Sequence, residues 1–282
     1  MKKCLVILSS GQSGSSVLAE IIKNKTNYKV PEPEIAIRPI LNLFKNKVNK
    51  YGYNESRKIV NLNEKIHLLN DLLWYSSHKK IKLSKNDKDQ IKKLYTEIFK
   101  KNENIILKDQ RINIMLDDYL EELKKLKVNF KYIFLYRKPQ GFCNALKVRN
   151  GLKKSISENL WLFHNSLISN FLFNKDYLLI SYEEIFNNFT VSEKKINHFL
   201  GVKNKLNSDD SFYYFYDRSH IRKYKTPIDE KELDKKTLDL YKTLNKGKVY
   251  KQKISFSRSL TKDISIINKL KSWSNGKRAV VK

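Results

Sequence analysis

Four short apolar runs constrain this chain most. They are Lys3 to Ser9, Asn104-Ile105-Ile106-Leu107, Tyr132-Ile133-Phe134-Leu135-Tyr136 and Tyr177-Leu178-Leu179-Ile180-Ser181-Tyr182. Each is far short of the roughly 20 apolar residues of a membrane span. None alternates polar with apolar residues, so a sheet made of them has both faces covered. Each leads into a helical pattern or a turn. Strands separated by helices need crossovers, and crossovers make a parallel sheet. The expected fold is α/β, with a central parallel sheet of about four to five strands between two helical layers.

The helices are legible from their apolar spacing. Ser15 to Lys25 follows the first strand, with Val17, Leu18, Ile21 and Ile22 on one face. Met115 to Leu126 follows the second strand, and Phe142 to Val148 follows the third, after Pro139 at a helix-start position. Ile156, Leu160, Phe163, Leu167 and Phe171 recur at three- and four-residue steps and predict a long amphipathic helix over Lys153 to Phe173. Val191 to Leu200 is another, ended by Gly201. Tyr51 to Lys101 carries no strand signal and reads as an insertion of two lysine-rich helices. The expected organisation is one α/β domain over 1–247 with a basic C-terminal extension over 248–282.

Composition narrows the class. Of 282 residues, 40% are hydrophobic and 12% aromatic, enough for a sizeable core, which excludes global disorder. The start, Met1-Lys2-Lys3-Cys4-Leu5-Val6-Ile7-Leu8, imitates a signal peptide, but the apolar run stops at Ser9, so it reads as a buried strand. Cys4 and Cys143 are too few for a disulfide framework, and a reduced, cytoplasmic protein is expected. Lys and Arg number 57, nine of them Arg, against 29 acids, for a net charge of +28. A solvated lysine surface accounts for part of this. A polyanionic partner, whether a phosphorylated nucleotide, an acidic glycan or nucleic acid, accounts for it equally well.

The first strand meets its helix through Ser9-Ser10-Gly11-Gln12-Ser13-Gly14-Ser15-Ser16. Two glycines permit a tight turn and close backbone approach to an anion. The helix start then offers N–H groups and partial positive charge. The hydroxyls of Ser13, Ser15 and Ser16 add donors. The loop lacks the Gly-Lys-Ser/Thr of an ATPase loop and the spacing of a dinucleotide fingerprint. A plain serine-glycine turn fits the same letters. Tyr136-Arg137-Lys138-Pro139 leaves the third strand, and Lys108-Asp109-Gln110-Arg111 leaves the second, both at the carboxyl edge where open α/β folds bind ligands. Arg149-Asn150-Gly151 follows one helix later.

Taken in order, the Ser9–Ser16 loop, the Arg137-Lys138-Pro139 turn and Ile180-Ser181-Tyr182-Glu183-Glu184-Ile185 resemble the sulfotransferases that use 3′-phosphoadenosine 5′-phosphosulfate (PAPS). Leu107-Lys108-Asp109-Gln110-Arg111, Arg149-Asn150-Gly151 and Leu160-Trp161 resemble the bacterial carbohydrate-type and tyrosylprotein-type branches, over about residues 3 to 245. The resemblance implies a P-loop-like fold and sulfuryl transfer to a hydroxyl of a glycan, another carbohydrate or an acidic peptide. It implies that Gly11, Gln12, Ser13, Gly14, Ser15 and Ser16 cradle the 5′-phosphosulfate. Arg137 would bind the 3′-phosphate with Arg149 nearby, and Lys108 would lie near the transferred group. It places a proton-accepting carboxylate after the first helix, at Glu34 in preference to Glu32, a pair that also reads as a solvated proline-rich turn.

Two positions depart from that family. Gln12 stands where it has Lys or Arg, and Ala145 stands where it has a serine for the 3′-phosphate. A non-catalytic nucleotide or polyanion binder on the same fold is therefore the alternative. Nucleic-acid binding rests on charge alone, and no module for it is recognisable. Tyr182-Glu183-Glu184 reads as mainly structural, with acids at a helix start. Arg218 to Lys223 is a basic loop loosely like one that closes over the nucleotide. His67, His78, His164, His198 and His220 show no metal spacing, and no metal is expected.

Overall fold

The computed structural model of the protein describes residues 1–32, 54–76, 79–202 and 229–251. Four strands form one parallel sheet: β1 (Lys3–Leu8), β2 (Asn104–Leu107), β3 (Asn129–Tyr136) and β4 (Leu178–Ser181), in the order β2-β1-β3-β4. Lys29 adds an isolated parallel bridge on the outer edge of β2, where its carbonyl accepts from Ile106 N at 2.8 Å. The fold is the expected α/β architecture with a P-loop-like arrangement of strand, loop and helix.

Side chains of a strand alternate between faces. Cys4, Val6 and Leu8 enter one core with Ile105, Leu107, Tyr132, Phe134 and Tyr136, while Leu5 and Ile7 enter the other with Ile106, Ile133, Leu135 and Ile180. The second core is closed by α1 (Ser15–Lys25) through Val17, Leu18, Ile21 and Ile22. The first is closed by α2 (Arg57–Leu69), α3 (Lys85–Lys101), α4 (Leu116–Lys124), α5 (Pro139–Asn150) and α6 (Lys154–Leu172). The continuous apolar runs in the strand interiors follow from this sandwiching. The chain continues through α7 (Tyr182–Asn187), α8 (Phe189–Leu200) and α9 (Lys235–Asn245). The described residues between 54 and 101 carry two helices, α2 and α3. Among the described residues no helix is long and apolar enough to cross a membrane.

Two boundaries differ from the sequence pattern for physical reasons. β3 starts at Asn129 rather than Tyr132, because Asn129, Phe130 and Lys131 pair with Lys3, Cys4 and Leu5 of β1. Lys131 hides this extension in the sequence. Its ammonium leaves the sheet to donate to Phe199 O at 2.6 Å, above the Phe199 ring. α5 starts at Pro139 rather than Phe142, with proline in the first turn, where a missing N–H costs nothing. At the chain's later end, Tyr250 exchanges hydrogen bonds with Ser169 of α6, at 3.0 and 3.1 Å.

The strand order fixes where a ligand can sit. The chain goes from β1 to β2 on one side, then crosses to β3 on the other, so the connections after β1 and β3 diverge. The crevice at their carboxyl ends is the topological switch point. Trp161, fully buried on α6, ties the helix to this edge by donating from Nε1 to Arg137 O at 2.8 Å. Trp161→Phe keeps most of the ring volume and removes that donor. It is expected to lower unfolding free energy by about 1–3 kcal/mol, the cost of a buried carbonyl left unsatisfied, as read by urea denaturation.

Candidate functional site

The loop between β1 and α1 occupies the switch point. Gly14 caps α1 in a left-handed conformation, φ 84°, and brings no side chain to the first-turn N–H groups. That turn holds no acid, while Lys23 and Lys25 stand in the last turn. A Cβ on Gly14 would lie 2.6 Å from Tyr182 Cδ2, and one on Gly11 would lie 2.1 Å from Gln110 Oε1. Glycine is thus required at Gly14 by conformation and by space, while at Gly11 a Cβ would need the end of the Gln110 side chain to move. Gln12 also has positive φ, 59°.

The loop is held from beneath by polar groups that the sequence pattern did not single out. Asn113, fully buried in the 3₁₀ turn Gln110–Met115, donates to Ser9 O at 2.9 Å. Asn165 on α6 donates to Ser10 Oγ at 3.3 Å, and Ser10 Oγ lies 3.1 Å from Ser13 Oγ. His164 Nδ1 lies 3.2 Å from Asn113 Nδ2. Burial, with His67 close by, pushes His164 down to about 3, so its ring is neutral and Nδ1 accepts. The signal for these residues is polarity on the face of α6 that should be apolar: His164 and Asn165 sit beside Phe163 and Leu167, all buried.

Arg137 closes the loop from above. Its guanidinium is buried, donates from Nη1 to Gln12 O at 2.9 Å and lies 4.1 Å from the centre of the Tyr182 ring. Glu183, next to that tyrosine, accepts from Lys138 N at 3.1 Å. Burial raises Glu183 above the usual carboxylate range, against the opposing pull of the Lys138 N–H and the Arg137 charge. Tyr182 and Glu183 therefore hold the turn after β3 in place. Glu184 pairs with Lys195 of α8.

Lys108, at the end of β2, is buried. Its Nζ donates to Ser16 Oγ at 3.1 Å and to Glu55 Oε1 at 2.8 Å. The segment just before α2 is pinned here, since Asn54 donates from its side chain to Ser16 O at 3.0 Å. Arg111 serves a different purpose from Lys108. It is 4% exposed and pairs with Asp109 at 2.7 Å, Glu64 at 2.8 Å and Glu55 at 3.8 Å. Burial alone would lower its pKa, and the three carboxylates reverse that into a rise. Asn63 donates to the other Asp109 oxygen at 2.9 Å, and His67 Nε2 donates to Arg111 O at 2.9 Å.

The structure thus brings together Gly11 to Ser16, Arg137 and Lys108. Arg149 stands in the last turn of α5, about 15 Å along the helix axis from Pro139. Ala145 is buried in α5. Glu32 is half exposed and pairs with Lys58 at 3.0 Å. Glu34, His220 and the Arg218 to Lys223 loop lie outside the described residues. Among the described residues no three His, Cys, Asp or Glu side chains are grouped as metal ligands.

Two solved structures are similar to this chain. One is a "Sulfotransferase Domain from the Curacin Biosynthetic Pathway", at 17% identity and a TM-score of 0.44, covering 96% of this chain and 98% of that one. The other is a "Sulfotransferase Domain from the Synechococcus PCC 7002 Olefin Synthase", at 16% identity and a TM-score of 0.46, covering 96% of each. No family model and no curated protein matches the sequence.

The neutral histidine under the loop predicts an acid-sensitive fold. His164 ordinarily titrates near 6.5 and is held at about 3 when folded. Below pH 6.5 the unfolded chain takes up a proton that the folded chain refuses, so stability falls as pH drops from about 6.5 towards 3. His164→Gln keeps an acceptor for Asn113. It is expected to flatten that limb by up to about 1.4 kcal/mol per pH unit, measured by urea unfolding at pH 7, 6, 5 and 4. Parallel limbs in both proteins would refute the assignment.

Proposed function

We propose that the protein is a sulfotransferase that moves the sulfuryl group of PAPS to a hydroxyl of a carbohydrate or another acceptor. The observation that carries this reading is Lys108, whose ammonium is directed onto Ser16 at the head of α1, beside a glycine loop with no side-chain cap. The ordered motifs of the sequence point the same way. The donor set suits the nucleotide: a glycine at positive φ at the head of α1, the hydroxyls of Ser13, Ser15 and Ser16, and two buried cations from the ends of the strands on either side of β1.

Sulfuryl transfer, by analogy with phosphoryl transfer, passes through a loose in-line transition state. The acceptor oxygen bonds to sulfur as the bond from sulfur to the 5′-phosphate oxygen breaks. The electron pair stays on that phosphate, which leaves in adenosine 3′,5′-bisphosphate (PAP). Negative charge on the leaving oxygen is stabilised by loop N–H groups and by Lys108, both fixed before reaction. Arg137 keeps the loop open through Gln12 O and contributes positive charge to the phosphates. Gln12 brings a neutral side chain to a place where a cation would do more, and Ala145 brings no hydroxyl. Those two residues favour the second reading, a nucleotide binder without turnover. The high net charge suits an acidic acceptor, and the buried free thiols of Cys4 and Cys143 suit a reducing cytoplasm.

Calorimetry should show PAP binding at least tenfold more tightly than AMP, because a charge-assisted phosphate contact is worth about 1.5–3 kcal/mol. Lys108→Met should lower PAPS turnover by about 10² or more while changing PAP affinity far less, the mark of a contact made mainly in the transition state. Equal affinity for PAP and AMP would overturn the donor assignment. Tight PAP binding without release of PAP from PAPS would favour the non-catalytic reading.

A further inference from the structure

Sulfuryl transfer to a hydroxyl releases a proton, and the sequence motifs place its acceptor at Glu34 or Glu32. Glu32 does not suit the task. Its carboxylate is half exposed and spent on Lys58, an equally exposed partner. A different carboxylate stands at the loop. Glu55 is 12% exposed at its side chain, and its Oε1 shares the Lys108 ammonium with Ser16 Oγ. Its position is imposed from two sides. Asn54, at positive φ, is anchored to Ser16 O, and Arg111 draws the second oxygen, Oε2, to 3.8 Å. Asp109 and Glu64 hold Arg111 in turn.

Resting on the sulfotransferase reading above, we propose that Glu55 is the general base, taking the acceptor hydroxyl's proton as its oxygen bonds to sulfur. The carboxylate stands one ammonium away from the phosphate loop, on the side where β2 ends. Lys108 lies between the carboxylate and the loop, so one cation orients the base and meets the charge on the leaving group. The balance is complete. The oxygen–sulfur bond forms, the bond from sulfur to the phosphate oxygen breaks with its electron pair left on PAP, and the hydroxyl proton passes to Glu55. Lys108 and Arg111 hold the carboxylate from two sides, while Asp109 and Glu64 pair with Arg111 and offset its charge.

The same geometry separates this role from a structural one. As an anion at an anion site, Glu55 opposes the bound nucleotide through like charge. Removing its charge should therefore strengthen product binding while it weakens turnover. A brace would weaken both. The test compares wild type, Glu55→Gln and Glu55→Asp at pH 7, with PAP binding by calorimetry and PAP release from PAPS, with water as acceptor. Glu55→Gln should release PAP about 10² to 10⁴ times more slowly and bind PAP about threefold or more tightly. Glu55→Asp, a shorter carboxylate, should retain part of the wild-type turnover. Turnover of Glu55→Gln within threefold of wild type would overturn the proposal and leave the sulfotransferase reading standing. So would a parallel loss of PAP affinity and turnover in Glu55→Gln. A wild type that does not bind PAP would overturn the reading on which the proposal rests.

Discussion

A helix head can hold an anion only while its N–H groups stay open, and a loop kept open must be shaped from outside. The contacts around the β1–α1 loop shape it in this way. Gly14 caps α1 without a side chain, at an angle that favours glycine. Arg137 pulls on the Gln12 carbonyl from one side, while Asn113 and Asn165 hold Ser9 and Ser10 from the other. Tyr182 lies against both Gly14 and Arg137, so the turn after β4 limits the turn after β1. The sheet supplies the rigid base. Its register places the ends of β1 and β3 side by side, Leu8 opposite Phe134.

The cations at this edge divide into two kinds. Lys108 faces the loop with a carboxylate at its back. Arg111 is held by Asp109 and Glu64, with Glu55 slightly farther away. Burying a guanidinium is costly unless it is paired on several sides. The carboxylates of Asp109, Glu64 and Glu55 meet that condition for Arg111. Arg137 differs from both: it shapes the loop through one hydrogen bond to Gln12 O, and its guanidinium lies over the Tyr182 ring.

The strands were legible because a sheet covered on both faces needs apolar side chains at successive positions of its interior, and such runs stand out. Lys108, Arg137 and the Gly11–Gly14 loop were legible because they follow those runs directly, and the ends of parallel strands share one edge. Glu55 was not. Its place depends on Asn54 reaching Ser16 across a long stretch of chain, and nothing in the local letters records that. Asn113, His164 and Asn165 were hidden for a related reason. A polar residue on an apolar helix face shows only that it must find a partner, not that the partner is a loop on the far side of the core. Arg111 looked equivalent to Lys108 by position. The sequence shows which charges are present, while the fold decides which of them neutralise each other.

The central claim is that the β1–α1 loop is a phosphate cradle served by Lys108. A crystal structure of the protein with PAP tests it most directly. The account predicts the 5′-phosphate against the backbone N–H groups of Gln12 to Ser16, with Lys108 Nζ within hydrogen-bond distance of a phosphate oxygen and Arg137 still on Gln12 O. Nucleotide seated elsewhere on the lysine-rich surface, with Lys108 still shared between Ser16 and Glu55, would contradict it.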